Sequence, residues 1–177
     1  MVVQILLVWA QRIGALVRLE PRMPHEDERR PDLLIIMGHR QFLIDVSIRS
    51  PVARSHLRAG QTPRLVATQA EREKHHKYDA LARARGAAFV PFVVETFGAF
   101  GSEAENFVTE LAAFTELSGT TWTRLEVLFG VISSIQMAVQ RGNAQIMERG
   151  FQSAWEYSRG VAARAQGPRY VVTTTRR

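Results

Sequence analysis

A chain of 177 residues, 46% hydrophobic and 23% charged with a formal charge of +6, has the length of one domain and the apolar material for one core. Its lack of cysteine excludes disulfides and thiolate metal sites and fits a reducing compartment. No run reaches the ~18 apolar residues of a membrane span, and the opening MVVQILLVWA has neither a basic n-region nor an A-x-A cleavage site, so a buried helix is expected there instead of a signal peptide.

Taken in order, Val2–Gly14 has helical spacing, with Val2, Ile5, Leu6, Trp9 and Ile13 apolar. Ala15–Glu20 reads as a short strand, and Pro21 and Pro24 with HEDERR as a polar connection. Asp32–Met37 and Gln41–Ile48 read as a β-hairpin, and Pro51 to Pro63 as a basic loop. Thr68–Arg85 is a helix that stops at Gly86, where a glycine C-cap belongs. Ala88–Glu95 is a strand rich in Val and Phe, after which Gly98 and Gly101 break the chain. Ser102, with Glu105 completing a capping box, opens a helix that ends near Ser118-Gly119. Thr121 opens another through LEVLFGVISSIQMAVQ, ending at Arg141-Gly142, and a last helix covers Ala144–Ala165. The final RYVVTTTRR is expected to fray.

The order α-β-β-β-α-β followed by helices predicts an α/β architecture, a small mixed sheet covered by helices. Residues 1–101 form its α/β core, 102–166 a helical extension packed on the same domain, and 167–177 a tail. The Met, Phe and Trp residues of the last helices read as core.

Two aspartates stand out. In Phe42–Ile48 the even positions share one strand face, and Leu43, Asp45 and Ser47 share the other. A two-residue loop, Gly38-His39, would form a type II′ turn and pair Met37 with Arg40. That register sets Asp32 directly opposite Asp45, with Cβ atoms ~4.5–5.5 Å apart. Like charges so placed destabilise a sheet unless a divalent cation joins them, and hard cations take carboxylate oxygens. A four-residue loop would instead pair Asp32 with Ser47, and two solvent-facing charges are the remaining reading.

The chain has 21 arginines and two lysines, and both lysines lie in EKHHKY as Lys74 and Lys77. A lysine ammonium is a compact charge whose pKa shifts readily, suited to a phosphorane or an attacking water. On a helix Lys74, Tyr78 and Leu81 share a stripe with Lys77 beside it; Tyr78 and Leu81 would anchor that stripe on the sheet.

RPD (Arg30–Asp32), DVS (Asp45–Ser47) and KHHKY (Lys74–Tyr78), in this order, resemble the restriction-endonuclease-like domain found downstream of reverse transcriptase in site-specific non-LTR retrotransposons. That domain belongs to the PD-(D/E)xK nuclease superfamily. The resemblance covers about Leu19 to Gly101. Most superfamily members carry a lysine two residues after the second acid, where this chain has Ser47; the retrotransposon branch moves it onto the following helix. Without cysteine there is no zinc knuckle before the PD, and no polymerase domain accompanies the motifs.

The resemblance implies a restriction-endonuclease-like core with a helical C-terminal extension, acting as a metal-dependent DNA endonuclease. Asp32 and Asp45 would bind Mg²⁺ or Mn²⁺. Lys77, or Lys74 as its alternate, would stabilise charge on the phosphate. Glu20 is a further candidate ligand or base, with Tyr78 and Ser47 in support. DNA is the expected partner and no membrane; the location would be intracellular, and nuclear if it acts on chromosomal DNA.

Charge suits a polyanionic partner, and a solvated helix face is the other reading of it. Arg49–Arg85 holds nine cationic side chains against Glu71, Glu73 and Asp79, and Arg49, Arg54, Arg58 and Arg64 are the candidate phosphate contacts. His25, His39, His56, His75 and His76 do not form a ligand set, since the adjacent His75 and His76 point different ways on a helix. No G-x-S-x-G, P-loop or dinucleotide fingerprint is present. Two other functions remain open: a DNA-binding module of the same fold without catalysis, and a helical interaction protein that oligomerises through Gly119–Ala165.

Overall fold

A computed structural model describes residues 1–21, 30–56 and 62–165. Most of the polar connection with His25, the loop position Arg58 and the tail 167–177 lie outside the described residues. The elements are α1 (Val2–Arg12), β1 (Leu16–Leu19), β2 (Leu33–Met37), β3 (Arg40–Arg49), α2 (Leu65–Ala84), β4 (Ala88–Glu95), α3 (Ser102–Ala113), α4 (Thr115–Ser118) and α5 (Arg124–Ala165). A 3₁₀ turn, Arg54–His56, follows β3.

The architecture is α/β, with one mixed sheet of four strands in the order β1-β2-β3-β4. The first three strands are antiparallel neighbours. β4 runs parallel to β3, reached through the crossover helix α2. The Gly38-His39 loop joins β2 to β3 with Met37 opposite Arg40, and Gly38 takes the positive φ of +60° that a type II′ turn needs at its first central position.

Alternation along the strands divides the apolar residues between two layers. Leu33, Ile35, Phe42, Ile44, Phe92 and Val94 face a large core shared with Leu6 and Trp9 of α1, Ile13 just after it, Phe107 and Leu111 of α3, and Val131 and Ile135 of α5. Leu34, Leu43 and Phe89 face Tyr78 and Leu81 of α2. β4 is buried on both faces, so AFVPFVVE is nearly unbroken in its hydrophobicity. Pro91 is tolerated because β4 is an outer strand.

Two helix starts differ from expectation. Ser102 does not cap α3: its hydroxyl donates to Oε2 of buried Glu71, while Oε1 of Glu71 accepts the Glu103 N–H at 3.0 Å. A carboxylate delivered by α2 thus satisfies an orphan donor of α3, a better acceptor for that helix end than a hydroxyl. Glu105, the expected partner in the capping box, is instead held by Arg64 in a two-pronged pair at 2.6 and 2.9 Å. A capping box does form at the start of α5, where Thr123 Oγ1 accepts from the Glu126 N–H and Glu126 Oε2 accepts from the Thr123 N–H.

The two expected C-terminal helices are one. α5 runs 42 residues through Gly142. An interior glycine costs about 1 kcal/mol relative to alanine but leaves the i→i−4 ladder intact, and no proline follows until Pro168. By packing, the chain divides into two compact units, Met1–Gln140 and Arg141–Arg177.

At Gly130, α5 comes close against Trp9 of α1. A Cβ there would run into the Trp9 indole, which also meets Trp122 edge-on at 5.4 Å. Gly130→Ala is expected to destabilise the fold by about 1–2 kcal/mol, overpacking outweighing the gain in helix propensity. Urea unfolding followed by tryptophan fluorescence measures it.

Candidate active site on the α2 face of the sheet

α2 packs on the sheet through one stripe: Ala67, Ala70, Lys74, Tyr78 and Leu81, spaced three and four residues apart. Ala67 and Ala70 cover Val93, and Tyr78 stacks on Phe89 at 5.1 Å. Lys74 lies between these two apolar contacts. A lysine in the middle of a core-facing stripe needs a buried acid to meet it.

Asp45 is that acid. Its Oδ2 accepts from Lys74 Nζ, and the two side chains are only 12% and 14% exposed. Asp45 shares its strand face with Leu43 and Ser47, and stands opposite Pro91 of β4. Burial pulls the Lys74 pKa below its ordinary value of 10.5; the Asp32 charge opposes that shift and the neighbouring Lys77 charge adds to it.

Asp32 comes to the same place along the hairpin. The ladder pairs Leu33 with Ile44, so one further step sets Asp32 opposite Asp45. The half-buried Asp32 lies just before β2, and its Oδ2 accepts the Val46 N–H at 2.6 Å. That bond continues the hairpin where the backbone ladder has ended. On its other side, Asp32 accepts the Glu20 N–H through its carbonyl at 2.9 Å. Glu20, Asp32 and Asp45 therefore occupy one row across β1, β2 and β3. Glu20 has φ +39° and an exposed side chain, at a bend just past β1.

The remaining candidates are distributed around this row. Lys77 is exposed on the α2 turn, its ammonium 4.8 Å from the Tyr78 ring centre. Ser47 follows Asp45 on the same face, with its hydroxyl buried and without a hydrogen-bond partner. Arg49 continues that face; one guanidinium nitrogen lies 3.6 Å from Glu73 and its Nε is buried and unpartnered. Arg54 is exposed on the 3₁₀ turn. Arg64 is committed to Glu105 beside a groove of about 500 Å³ that also touches Phe100, Leu128 and Gln136.

Sequence reasoning passed over two acids that matter to this frame. Glu71 fastens α3 to α2, and Glu95 at the end of β4 accepts the Ala67 N–H at 3.4 Å inside the first turn of α2. Both are buried, and their positions in charged or strand-terminal contexts carried no sign of it.

The fold and this cluster define an α/β domain with two carboxylates and one amine gathered on a single sheet face. No family model matches the chain. Over 135 residues it is 29% identical to the retrotransposable element SLACS 132 kDa protein of Trypanosoma brucei gambiense, a match covering 72% of the chain. The match spans 11% of that protein's length, so the chain corresponds to a small part of it. The similarity supports an association with retrotransposons. Among the described residues, no helix is long and apolar enough to cross a membrane.

Proposed function

We propose that the domain is a retrotransposon-derived endonuclease that hydrolyses DNA phosphodiesters with a divalent cation. The observation carrying this reading is the convergence of Asp32, Asp45 and Lys74: two acids in one row and an ammonium from the centre of the α2 stripe.

The donors suit a hard cation. They are carboxylate oxygens next to a positive charge, on a strand face that also carries a buried, unpartnered Ser47 hydroxyl. Among the described residues no three His, Asp or Glu side chains gather as a ligand set. Two carboxylates completed by water and substrate phosphate is the Mg²⁺ pattern. Asp32 and Asp45 would hold Mg²⁺ or Mn²⁺, which when bound would polarise the phosphate and acidify a water.

Lys74 would turn its ammonium from Asp45 towards the non-bridging phosphate oxygens and offset the charge that develops there. Lys77, on the adjacent exposed face, would meet the phosphate from outside. Arg49 and Arg54 would hold the DNA backbone, fixing position without reading sequence. On chromosomal DNA, the protein would act in the nucleus.

Purified protein with supercoiled plasmid tests this. Nicking that requires Mg²⁺ or Mn²⁺ and stops with chelator is expected. A protein that leaves the plasmid intact under those conditions, at any ionic strength, overturns catalysis. A second reading has its own observation: Asp45 is already paired with Lys74, and Asp32 already accepts the Val46 N–H. Such a cluster would be structural and the domain a DNA-binding module. Salt-sensitive binding without nicking is its signature.

The lowered Lys74 pKa gives the pH dependence a direction. An ammonium acting on phosphate is lost as pH rises through its pKa, which here lies below 10.5. The nicking rate is therefore expected to fall on the alkaline side before pH 10.5. In Lys74→Arg the guanidinium stays charged and that alkaline fall disappears, whatever the residual rate.

A further inference from the structure

We infer that α5 carries a self-association surface, on which a second copy of this chain docks antiparallel over residues 146–158. The observation is an apolar face that no described residue covers. Every residue from Ala144 to Arg159 is exposed, yet Ile146, Met147, Phe151, Trp155 and Tyr157 are 60% to 76% exposed large apolar side chains grouped on one side of the helix. Gln145, Arg149, Gln152 and Glu156 take the opposite side. Five such side chains present about 600 Å² per copy, the upper end of what a monomer leaves uncovered. A pair would bury about 1,200 Å², the lower end for a specific interface.

The face complements itself. Met147, Phe151 and Trp155, four residues apart, form a ridge, and Gly150, Ala154 and Ser158 form a shallow row beside it. Where two antiparallel copies cross between Gln152 and Ser153, Phe151 is level with Ala154 of the second copy. Trp155 is level with Gly150, and Met147 with Ser158. Each bulky side chain meets a small one, and the two-fold operation repeats every contact.

Charge agrees with the same crossing. Glu148 and Arg159 both border the ridge, and the crossing brings Glu148 of one copy within a helical turn of Arg159 of the other, twice. Ile146 and Tyr157 meet in the same way along the opposite border. A membrane surface fits less well: the polar side mixes Arg141, Arg149 and Arg159 with Glu148 and Glu156, lacking the basic excess that anionic lipid attracts.

Sedimentation velocity of the full chain over a wide concentration range tests this. A mass rising from one chain to two is expected. Phe151→Glu, at an exposed position, should leave the far-UV circular dichroism unchanged and raise the dissociation constant about 30-fold. Glu148→Arg should weaken the dimer, and Glu148→Arg with Arg159→Glu should restore it. A monomer at every concentration overturns the inference, as does a dimer indifferent to Phe151→Glu. Failure of the double reversal to restore association overturns the antiparallel crossing. A monomer that co-sediments with phosphatidylserine vesicles has a membrane as its occupant and overturns it too. The measurement reads mass alone, so it stands or falls separately from hydrolysis at the Asp32–Asp45 row.

Discussion

Asp32→Asn is expected to cut Mg²⁺-dependent plasmid nicking about 10³-fold while leaving the fold within about 1 kcal/mol of the parent. The substitution separates two jobs of one side chain. Asp32 Oδ2 accepts the Val46 N–H, and an asparagine carbonyl oxygen accepts that bond equally well. What asparagine removes is the negative charge, and with it one of the two donors proposed for the cation. Loss of activity with an unchanged urea midpoint would assign the effect to chemistry. Unchanged nicking would remove Asp32 from the site, and a collapsed midpoint would make its role structural.

The second large effect concerns the Lys74–Asp45 pair and stability. Removing one member of a buried pair strands the other charge, which costs 3–5 kcal/mol when burial is complete. Both side chains here keep slight exposure, so Asp45→Ala is expected at the lower end, about 3 kcal/mol. Replacing both, as Asp45→Leu with Lys74→Met, removes both desolvation costs and should return to within about 1 kcal/mol of the parent. A double-mutant cycle by urea unfolding measures this; single and double losses that simply add would mean the two groups are not coupled.

The pH dependence of stability follows from the same lysine. Its folded pKa is depressed, so below that pKa both folded and unfolded chains carry the proton and the burial penalty is full. Between the folded pKa and 10.5 the unfolded chain binds the extra proton, so this contribution to stability rises with pH across that window. Lys74→Met should abolish the rise.

Much of this site was legible before any coordinates. Hairpin pairing follows from loop length, and a two-residue loop led by glycine was the shortest way to join the two runs. With that loop, Asp32 and Asp45 had to meet. Helical spacing also put Lys74 in line with Tyr78 and Leu81. The motif resemblance had put Lys77 first, but in the structure it is Lys74 that touches Asp45, because stripe position governs reach more strictly than motif position does.

By itself, the sequence determined the order of elements as far as β4 and the two faces of β3, and it narrowed the hairpin to two registers, of which the structure takes the one with the two-residue loop. All of these arise from interactions between residues close along the chain: alternation, helical period and turn chemistry. Only the tertiary structure decided that Glu71 would cap α3, that Glu105 would hold Arg64 and that Glu95 would sit at the start of α2. Each is a side chain satisfying a backbone or charged group 28 to 41 residues away, and local pattern carries no record of such a partner. The same holds for the continuity of α5. A glycine penalises a helix locally, but whether the ladder passes through it depends on the balance along the whole segment.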